Sequence, residues 1–334
     1  MHVTLDPVSI RDEQAHEAAS MYYLQGQTME TIARHLGVSR SSVSRLLAHA
    51  RESGLVRISV AAAPGTRGTL AGQINEMFGV RTSVVPVPDV DTEVNRLHNV
   101  ALVAAERLVE LMSPDAVLGI AWGNTTAEVT RNLPHVHFPA SVVVQLNGAA
   151  NASQSGLPYA DSIISQAAEA FGSRMVHFPV PAFFDYPDTK RALWRERSIR
   201  SVLQLIESTT VALFGVGALA ANLPSHVYSG GYLEPQEMRE ARADGVVGDV
   251  CTVLIREDGS TDMELNRRAS GPTPATLQKI PHRLCVVSGA SKALPLLGAL
   301  RAGVATDLVL DDAAARSLLD LARMRSVHPR TMVR

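Results

Sequence analysis

Cysteine is nearly missing from this 334-residue chain: Cys251 and Cys285 are the two there are, each inside a short apolar run. Neither a disulfide framework nor a metal site is expected, and both residues read as buried thiols in a reducing compartment, the cytoplasm. Long apolar runs are missing as well. The stretch from Val100 to Met112 is interrupted by Glu106, Arg107 and Glu110, so no segment reaches the roughly 18 uncharged residues of a membrane span and no membrane partner is expected. An excess of either charge is also missing, with 31 Lys plus Arg against 33 Asp plus Glu and a net charge of −2, which argues against a chain coated in nucleic acid. Residues 1–20 hold Asp6, Asp12, Glu13 and Glu17 against Arg11, the wrong balance for a signal or transit peptide. Gly and Pro fall within ordinary usage and no segment reads as collagen-like, mucin-like or disordered. What is there is 46% hydrophobic, enough for most of the chain to fold, as about two or three domains by length.

The global charge balance conceals a local surplus. Residues 21–60 carry Arg34, Arg40, Arg45, Arg51 and Arg57 against Glu30 and Glu52, five against two, with no Asp or Lys. Three helices are expected around them. Arg11 to Gln25 repeats apolar residues at spacings of three and four and stops at Gly26. Thr28 caps a second helix with Met29, Ile32, Ala33 and Leu36 on its apolar face, and Gly37 ends it. Ser39 caps a third, which runs to about Ser53 with Val43, Leu46 and Leu47 inward and Gly54 at its close.

A small Ala33 where the helices cross, a Gly37 that permits positive φ and a shared core of Val38, Val43 and Leu46 make residues 28–47 a helix-turn-helix. Thr28, Ser39, Arg40, Ser41, Ser42, Ser44 and Arg45 are the candidate DNA-binding residues. The start of the third helix would enter the major groove, where arginine reads guanine edges bidentately and serine suits phosphates. The alternative is a helical hairpin inside a larger domain, with Arg40 and Arg45 merely solvated. A surplus of three charges gives weak binding from one copy, so two or more readers on one DNA, and hence oligomerisation, are implied. Leu55 to Val60 alternates like a short strand, either a wing or the first strand of a linker.

Residues 61–68 are small and rich in breakers, and mark a linker between a DNA-binding domain at 1–60 and an effector-binding domain at 69–334. Beyond it, short apolar runs alternate with helical patterns. Strands are expected at Thr82–Val87, Ala116–Ala121, Ser141–Leu146, Met175–Val180, Thr210–Phe214, Cys251–Ile255, Leu284–Ser288 and Asp307–Leu310. Helices are expected at Glu93–Met112, Thr125–Leu133, Asp161–Phe171, Thr189–Glu207, Pro235–Ala243, Ser291–Ala302 and Asp312–Met324. Such alternation, with strands apolar throughout, indicates a Rossmann-like α/β domain whose mostly parallel sheet is covered on both faces.

Leu118 to Thr126 reads as a strand entering a glycine turn and the first turn of a helix, a geometry that aims backbone N–H groups at an anion. Gly123, Asn124, Thr125 and Thr126 are therefore candidate effector-binding residues for a phosphate, although ordinary helix capping reads the same letters equally well. The loop matches neither nucleotide-binding fingerprint, so nucleotide hydrolysis gains no support and no cofactor is expected. Three further strand ends are polar or glycine-rich: Gln145, Asn147 and Gly148; Gly215 and Gly217; and Ser288 to Lys292. Ligands of open α/β sheets bind outside the carboxyl ends of strands, so the four ends could surround one crevice. Lys292, in a first helical turn, sits against the helix dipole and gains from a bound anion, or else is a solvated surface lysine. Asp249 is a candidate acceptor for sugar hydroxyls, or part of a turn before the Cys251 strand. His135, His137 and His177 lack metal-ligand spacing.

In order along the chain stand the Thr28–Leu47 reader, Gly54-Leu-Val-Arg-Ile-Ser-Val60, Gly119-Ile-Ala-Trp-Gly-Asn-Thr125, Phe214-Gly-Val-Gly217, Gly248-Asp249, Ser288-Gly-Ala-Ser-Lys-Ala293, Leu300-Arg-Ala-Gly303 and Thr306-Asp307. With this series the chain resembles the SorC family of sugar-responsive bacterial transcription regulators, which overlaps what is often called DeoR-like. The resemblance implies an N-terminal helix-turn-helix of winged type, a C-terminal domain similar in fold to sugar-phosphate isomerases and deaminases, assembly as dimers or tetramers, and effectors that are commonly phosphorylated sugars. It implies that Gly123, Asn124, Thr125 and Thr126 hold phosphate and that Lys292 lies near an anionic or hydroxyl group of the ligand. The chain departs from the family pattern near residue 311, where Val309-Leu-Asp-Asp-Ala-Ala-Ala315 replaces a Thr-Asp-Glu-containing stretch.

The function expected is regulation of carbohydrate genes through double-stranded operator DNA, switched by a sugar or phosphorylated sugar. The alternative is a sugar-phosphate isomerase or deaminase fused to a DNA reader, with Asp249 and Lys292 as its candidate groups. No paired carboxylate and histidine stand beside the Gly123 loop in the sequence, so catalysis is not expected.

Overall fold

The computed structural model describes residues 7–53, 55–56, 69–88, 90–152, 156–220 and 225–327. The chain divides into two compact units between residues 61 and 62. Gly54, residues 57–60 of the strand-like stretch and the 61–68 linker lie outside the described residues, and Leu55 and Val56 are not in a strand.

In the smaller unit, α1 (Pro7–Ala19) runs into a π-helical turn at Ser20–Leu24, followed by α2 (Met29–Leu36) and α3 (Arg40–Glu52). Thr28 Oγ1 accepts from Thr31 N at 3.2 Å and Ser39 Oγ from Ser42 N at 3.1 Å, caps that each stabilise their helix by about 1 kcal/mol. Gly37 ends α2 at φ 66°, a left-handed conformation that strains any side chain. Ala15 and Ala18 of α1, Ile32 and Ala33 of α2, and Val43, Leu46 and Leu47 of α3 meet in one core. Asp12 to His49 at 2.7 Å and Glu17 to His35 at 3.1 Å tie α1 to the other two helices.

The larger unit begins with α4 (Leu70–Phe78), β1 (Arg81–Val85), α5 (Glu93–Leu111), β2 (Val117–Ile120), α6 (Asn124–Arg131), β3 (Val142–Gln145), α7 (Gly156–Phe171) and β4 (Arg174–Val176). It continues with α8 (Pro187–Leu193), α9 (Arg197–Glu207), β5 (Val211–Gly215), β6 (Gly217–Ala218), α10 (His226–Ser229), α11 (Pro235–Ala243), β7 (Val246–Val250) and β8 (Val253–Arg256). It ends with α12 (Pro274–Leu277), β9 (His282–Val287), α13 (Ala293–Arg301), β10 (Asp307–Asp311) and α14 (Asp312–Val327). Seven strands form a wholly parallel sheet in the order β1-β10-β9-β5-β2-β3-β4, while β6, β7 and β8 form a small antiparallel sheet.

The apolar strands are divided residue by residue between two cores, because successive side chains point to opposite faces of a sheet. Leu118, Val143, Leu213, Leu284, Val286 and Val309 join α5, α6 and α7 in one core. Val144, Ala212, Phe214, Cys285, Val287, Leu308 and Leu310 join α4, α9, α13 and α14 in the other. Each fully buried Leu, Ile or Phe contributes about 1.5–3 kcal/mol. Strands without alternation are thus the mark of this three-layer architecture.

Four local expectations need correction. The helix expected over Thr189–Glu207 is broken into α8 and α9 by a turn at Trp194–Glu196, since the aromatic ring of Trp194 packs inward on Phe178 and Phe184. The strand expected over Met175–Val180 stops at Val176, short of Pro179, which has no N–H to continue a ladder. The turn read at Gly245–Asp249 is largely β7, and the strand expected from Cys251 begins at Val253, because Cys251 and Thr252 form the two-residue loop between β7 and β8.

Asp311, where the chain departs from the family pattern, is fully buried. Its carboxylate accepts from Arg96 Nη1 at 3.1 Å, Gly289 N at 2.6 Å and Ala314 N at 3.0 Å, and so holds the loop after β9 in place. Replacing it leaves the buried Arg96 guanidinium without its charge partner. Asp311→Ala is expected to lower the unfolding free energy by about 3–5 kcal/mol in urea titration; a loss below about 1 kcal/mol would contradict this account.

Candidate functional site

On α3, Arg40, Ser41, Ser44 and Arg45 are exposed, as are Thr28 and Ser39 at the two caps. Ser42 is half-buried: its hydroxyl meets Ser39 Oγ at 2.9 Å and accepts from Arg45 Nη2 at 3.3 Å. It props Arg45 and braces the cap instead of presenting a free hydroxyl. The two arginines, one turn and a half apart, stand at the end of α3 that a helix-turn-helix directs at base edges.

In the larger unit, β2 is hydrogen-bonded to both β3 and β5. The chain leaves β2 toward β3 and β4 on one side and later returns to β5 on the other, so strand order reverses at this pair. That reversal opens a crevice beyond the carboxyl ends of the strands. A cavity of about 270 Å³ lies there.

One wall is the start of α6. Ala127 N bonds Gly123 O at 2.8 Å as the first helical bond, so the amides of Asn124, Thr125 and Thr126 have no acceptor within the helix. Thr126 spends its hydroxyl on Ala121 O at 2.8 Å and Gly123 O at 3.0 Å, which braces the loop. Asn124 Oδ1 accepts from Tyr159 Oη at 2.9 Å. Thr125 Oγ1 accepts from Lys292 Nζ at 3.4 Å. Lys292 occupies a short 3-10 turn and serves as the N-cap of α13; burial pushes its amine below the usual lysine range, against the charges of Asp249 and Glu93.

The opposite wall comes from the small sheet. The chain leaves β5 at Val216 and enters β6, which pairs Gly217 with Asp249 of β7. Asp249 lies across Gly217, where a Cβ would collide with its Oδ1. Asp249 Oδ2 accepts from Thr252 N at 3.1 Å; Oδ1 makes no hydrogen bond of good geometry, although the buried Tyr228 hydroxyl, also without one, interacts with the same carboxylate. Burial pushes this carboxyl up to about 6, against the Tyr228 hydroxyl, the Thr252 amide and the Lys292 charge. Cys251 and Thr252 take positive φ, 51° and 69°, in a hairpin turn that ordinarily uses Asn and Gly. Such conformations cost of order 1–3 kcal/mol each and are retained where the surroundings hold them.

Of the residues read from sequence, Gly123, Asn124, Thr125, Thr126, Asn147, Gly215, Gly217, Asp249 and Lys292 meet at this one cavity. Gln145 and Gly148 stand behind its wall. Gln145 Nε2 donates to Asn147 O at 2.7 Å and its Oε1 accepts from Phe178 N at 3.3 Å; Gly148 bonds Trp122 Nε1 and Ser270 Oγ, each at 2.9 Å. Ser288, from a strand end expected at the crevice, also lines it, as do Glu93, Trp122, His226 and Thr252, which sequence reasoning did not single out. Trp122 and Ser288 lay inside the motifs already noticed, whereas nothing local marks His226 of α10. Four lining atoms are buried without a hydrogen bond of good geometry: Asn147 Oδ1, His226 Nε2, Asp249 Oδ1 and Ser288 Oγ. Buried polar atoms are rarely left unpaired, so these four are open to a polar partner. His226 is packed among Trp122, Tyr159 and Tyr232, and burial lowers its affinity for a proton. No group of three or more metal-ligating side chains occurs among the described residues, and no described helix is long and apolar enough to cross a membrane.

A helix-turn-helix joined to an α/β unit with a polar cavity at its strand ends defines a ligand-responsive transcriptional regulator. Residues 66–320 match the Sugar-bind family, described as "Putative sugar-binding domain", and residues 13–58 match a homeodomain-like domain of the helix-turn-helix class. The chain belongs to the SorC family of sugar-binding transcriptional regulators. It is 28% identical over 308 residues to the deoxyribonucleoside regulator of Bacillus subtilis (strain 168), covering 91% of this chain and 96% of that one. It is 25% identical over 303 residues to the sorbitol operon regulator of Klebsiella pneumoniae, covering 90% and 96%. A solved domain of a possible sugar-binding transcriptional regulator from Arthrobacter aurescens TC1 superposes with TM-score 0.71 at 44% identity, covering 78% of this chain and 100% of that one. The full-length sorbitol operon regulator SorC from Klebsiella pneumoniae superposes with TM-score 0.72 at 23% identity, covering 95% and 100%, a likeness of fold. The family consists of regulators, not enzymes.

The raised carboxyl of Asp249 has a consequence for stability. With an unfolded value near 4 and a folded value of about 6, the native state holds the extra proton between those limits, so stability falls as pH rises from 4 to 6. Asp249→Asn keeps an acceptor for the Thr252 amide without the charge. Urea titrations across pH 4–8 are expected to show this fall flattened in the variant, which gains on the order of 1–3 kcal/mol over wild type at pH 7 relative to pH 4. A parallel pH dependence in both proteins would contradict a buried, titrating Asp249.

Proposed function

We propose that residues 1–60 read a double-stranded operator, that residues 69–334 bind a sugar phosphate, and that the bound effector sets how firmly the reader holds DNA. The linker at 61–68 joins the two, and the working species is a cytoplasmic homodimer or homotetramer. Arg40 and Arg45 take base edges or phosphates, with Thr28, Ser39, Ser41 and Ser44 on the backbone and Ser42 holding Arg45. The observation that carries the effector reading is the cluster of open amides at the start of α6 with Lys292 bonded to Thr125 beside them. Backbone donors, a helix N-terminus and a half-buried cation together suit a phosphate. Gly123, Asn124, Thr125 and Thr126 hold that group; Asn147, Gly215, Gly217 and Asp249 face the sugar, and Gln145 and Gly148 support the wall from behind. The sorbitol and deoxyribonucleoside regulators among its relatives favour carbohydrate genes as the target.

Effector control requires a different ligand affinity in the DNA-bound and free forms. The double substitution Arg40→Ala with Arg45→Ala is expected to weaken operator binding by roughly a hundredfold or more in fluorescence anisotropy. The same protein keeps its thermal stabilisation by sugar phosphates; loss of both properties would show that the arginines support the fold. Thr125→Val is expected to reduce stabilisation by a phosphorylated sugar and leave that by its unphosphorylated parent unchanged. Should a neutral polyol stabilise wild type better than any phosphate, the anion cradle is not the effector site.

A further inference from the structure

The cavity is electrically lopsided, and the lopsidedness bears on which phosphates it accepts. Among the described residues that line it, Lys292 is the only Lys or Arg. It stands at the α6 end, on Thr125. Facing it are two carboxylates: Asp249, buried against Gly217, and Glu93 from the first turn of α5. His226 adds no positive charge at neutral pH, because burial lowers its proton affinity. One phosphate dianion therefore consumes both the free amides and the single cation.

Position sharpens the contrast. Thr125 packs against Gly215 and Asp249 against Gly217, on either side of Val216, where the chain passes from β5 to β6, and both line the one cavity. At that second station the Asp249 carboxylate lines the cavity with the buried Tyr228 hydroxyl beside it, and Asn147 Oδ1, beyond the end of β3, is an unpartnered acceptor lining the same cavity. Acceptors of this kind are completed by hydroxyl donors and repel a second anion. Asp249 cannot swing aside easily, since its other oxygen is held by the Thr252 amide in the strained turn.

We propose that the effector is a sugar monophosphate whose other end is neutral and hydroxyl-bearing, and that Asp249 is the specificity residue that excludes bisphosphates and sugar-acid phosphates. This rests on the sugar-phosphate reading of the cavity and narrows it.

Isothermal titration of the full chain at pH 8, where Asp249 is ionised, tests it with ribose 5-phosphate, glucose 6-phosphate, fructose 6-phosphate, fructose 1,6-bisphosphate, 6-phosphogluconate and the unphosphorylated parents. At least one monophosphate is expected to bind tenfold or more tighter than both the bisphosphate and the 6-phosphogluconate. Asp249→Asn, checked for folding by its thermal transition, is expected to shrink that margin to threefold or less by gaining affinity for the doubly anionic probes. Tighter binding of the bisphosphate or the 6-phosphogluconate by wild type, or an unchanged margin in Asp249→Asn, overturns the proposed selectivity while leaving the sugar-phosphate reading intact. If no phosphorylated probe binds, whether or not a parent sugar does, the sugar-phosphate reading fails and the selectivity falls with it.

Discussion

The pairing of β2 with β5 is an ordinary parallel ladder, yet the cavity depends on it. Because the strands that follow β2 and those that follow β5 spread in opposite directions across the sheet, the loops beyond this pair part and leave their backbone groups uncovered. On the β2 side the gap is walled by the start of α6, where helix geometry leaves amides free without any special residue: Gly123 has extended backbone, and a Cβ there would meet Thr126 Oγ1 only at ordinary distance. On the β5 side the chain turns out of the main sheet at Val216 to pair with β7. That departure, and not a local motif, brings a carboxylate to the crevice.

The two walls are built at unequal cost. The α6 side is a regular helix start braced by the Thr126 hydroxyl, close to an energetic minimum. The Asp249 side combines a desolvated carboxyl and two non-glycine residues at positive φ, facing a half-buried lysine. Conformations and charges of this kind persist only where neighbours over-determine them, and they concentrate where a ligand is to be met. The surrounding layers supply that determination: Gly248 admits Pro295 of α13 at its back, and Gly271 leaves room for the Cys251 carbonyl. The Asp311 network, by contrast, is fully satisfied and serves the loop after β9. The departure from the family pattern near residue 311 therefore falls on a supporting element and not on the cavity wall.

The DNA-reading unit is stabilised almost entirely by short-range features: two side-chain caps, a left-handed glycine and a core of small residues that lets three helices approach closely. Its independence as a compact unit matters for regulation. A ligand can control DNA binding only through a difference in its affinity between the DNA-bound and free states.

Most of the fold was legible in the letters because its signals are local. Caps at Thr28 and Ser39, the turn at Gly37, strands apolar on both faces and the glycine turn before Asn124 each act within a few residues, and each stands close to where the sequence placed it. The cavity was half legible for the same reason: Gly123 to Thr126 announce themselves, and Lys292 follows from its place at a helix start. Asp249 read as ambiguous and His226 not at all, since their positions come from an antiparallel pairing between residues more than thirty apart and from the start of α10, which packs on Trp122. Sequence by itself determined the elements, the two-unit organisation and the glycine turn before α6, because hydrogen bonding and side-chain periodicity are settled by neighbours in the chain. Only the tertiary structure decided which strand ends meet, which carboxylate faces the lysine and which polar atoms are left unpaired, because those depend on the order in which strands enter the sheet.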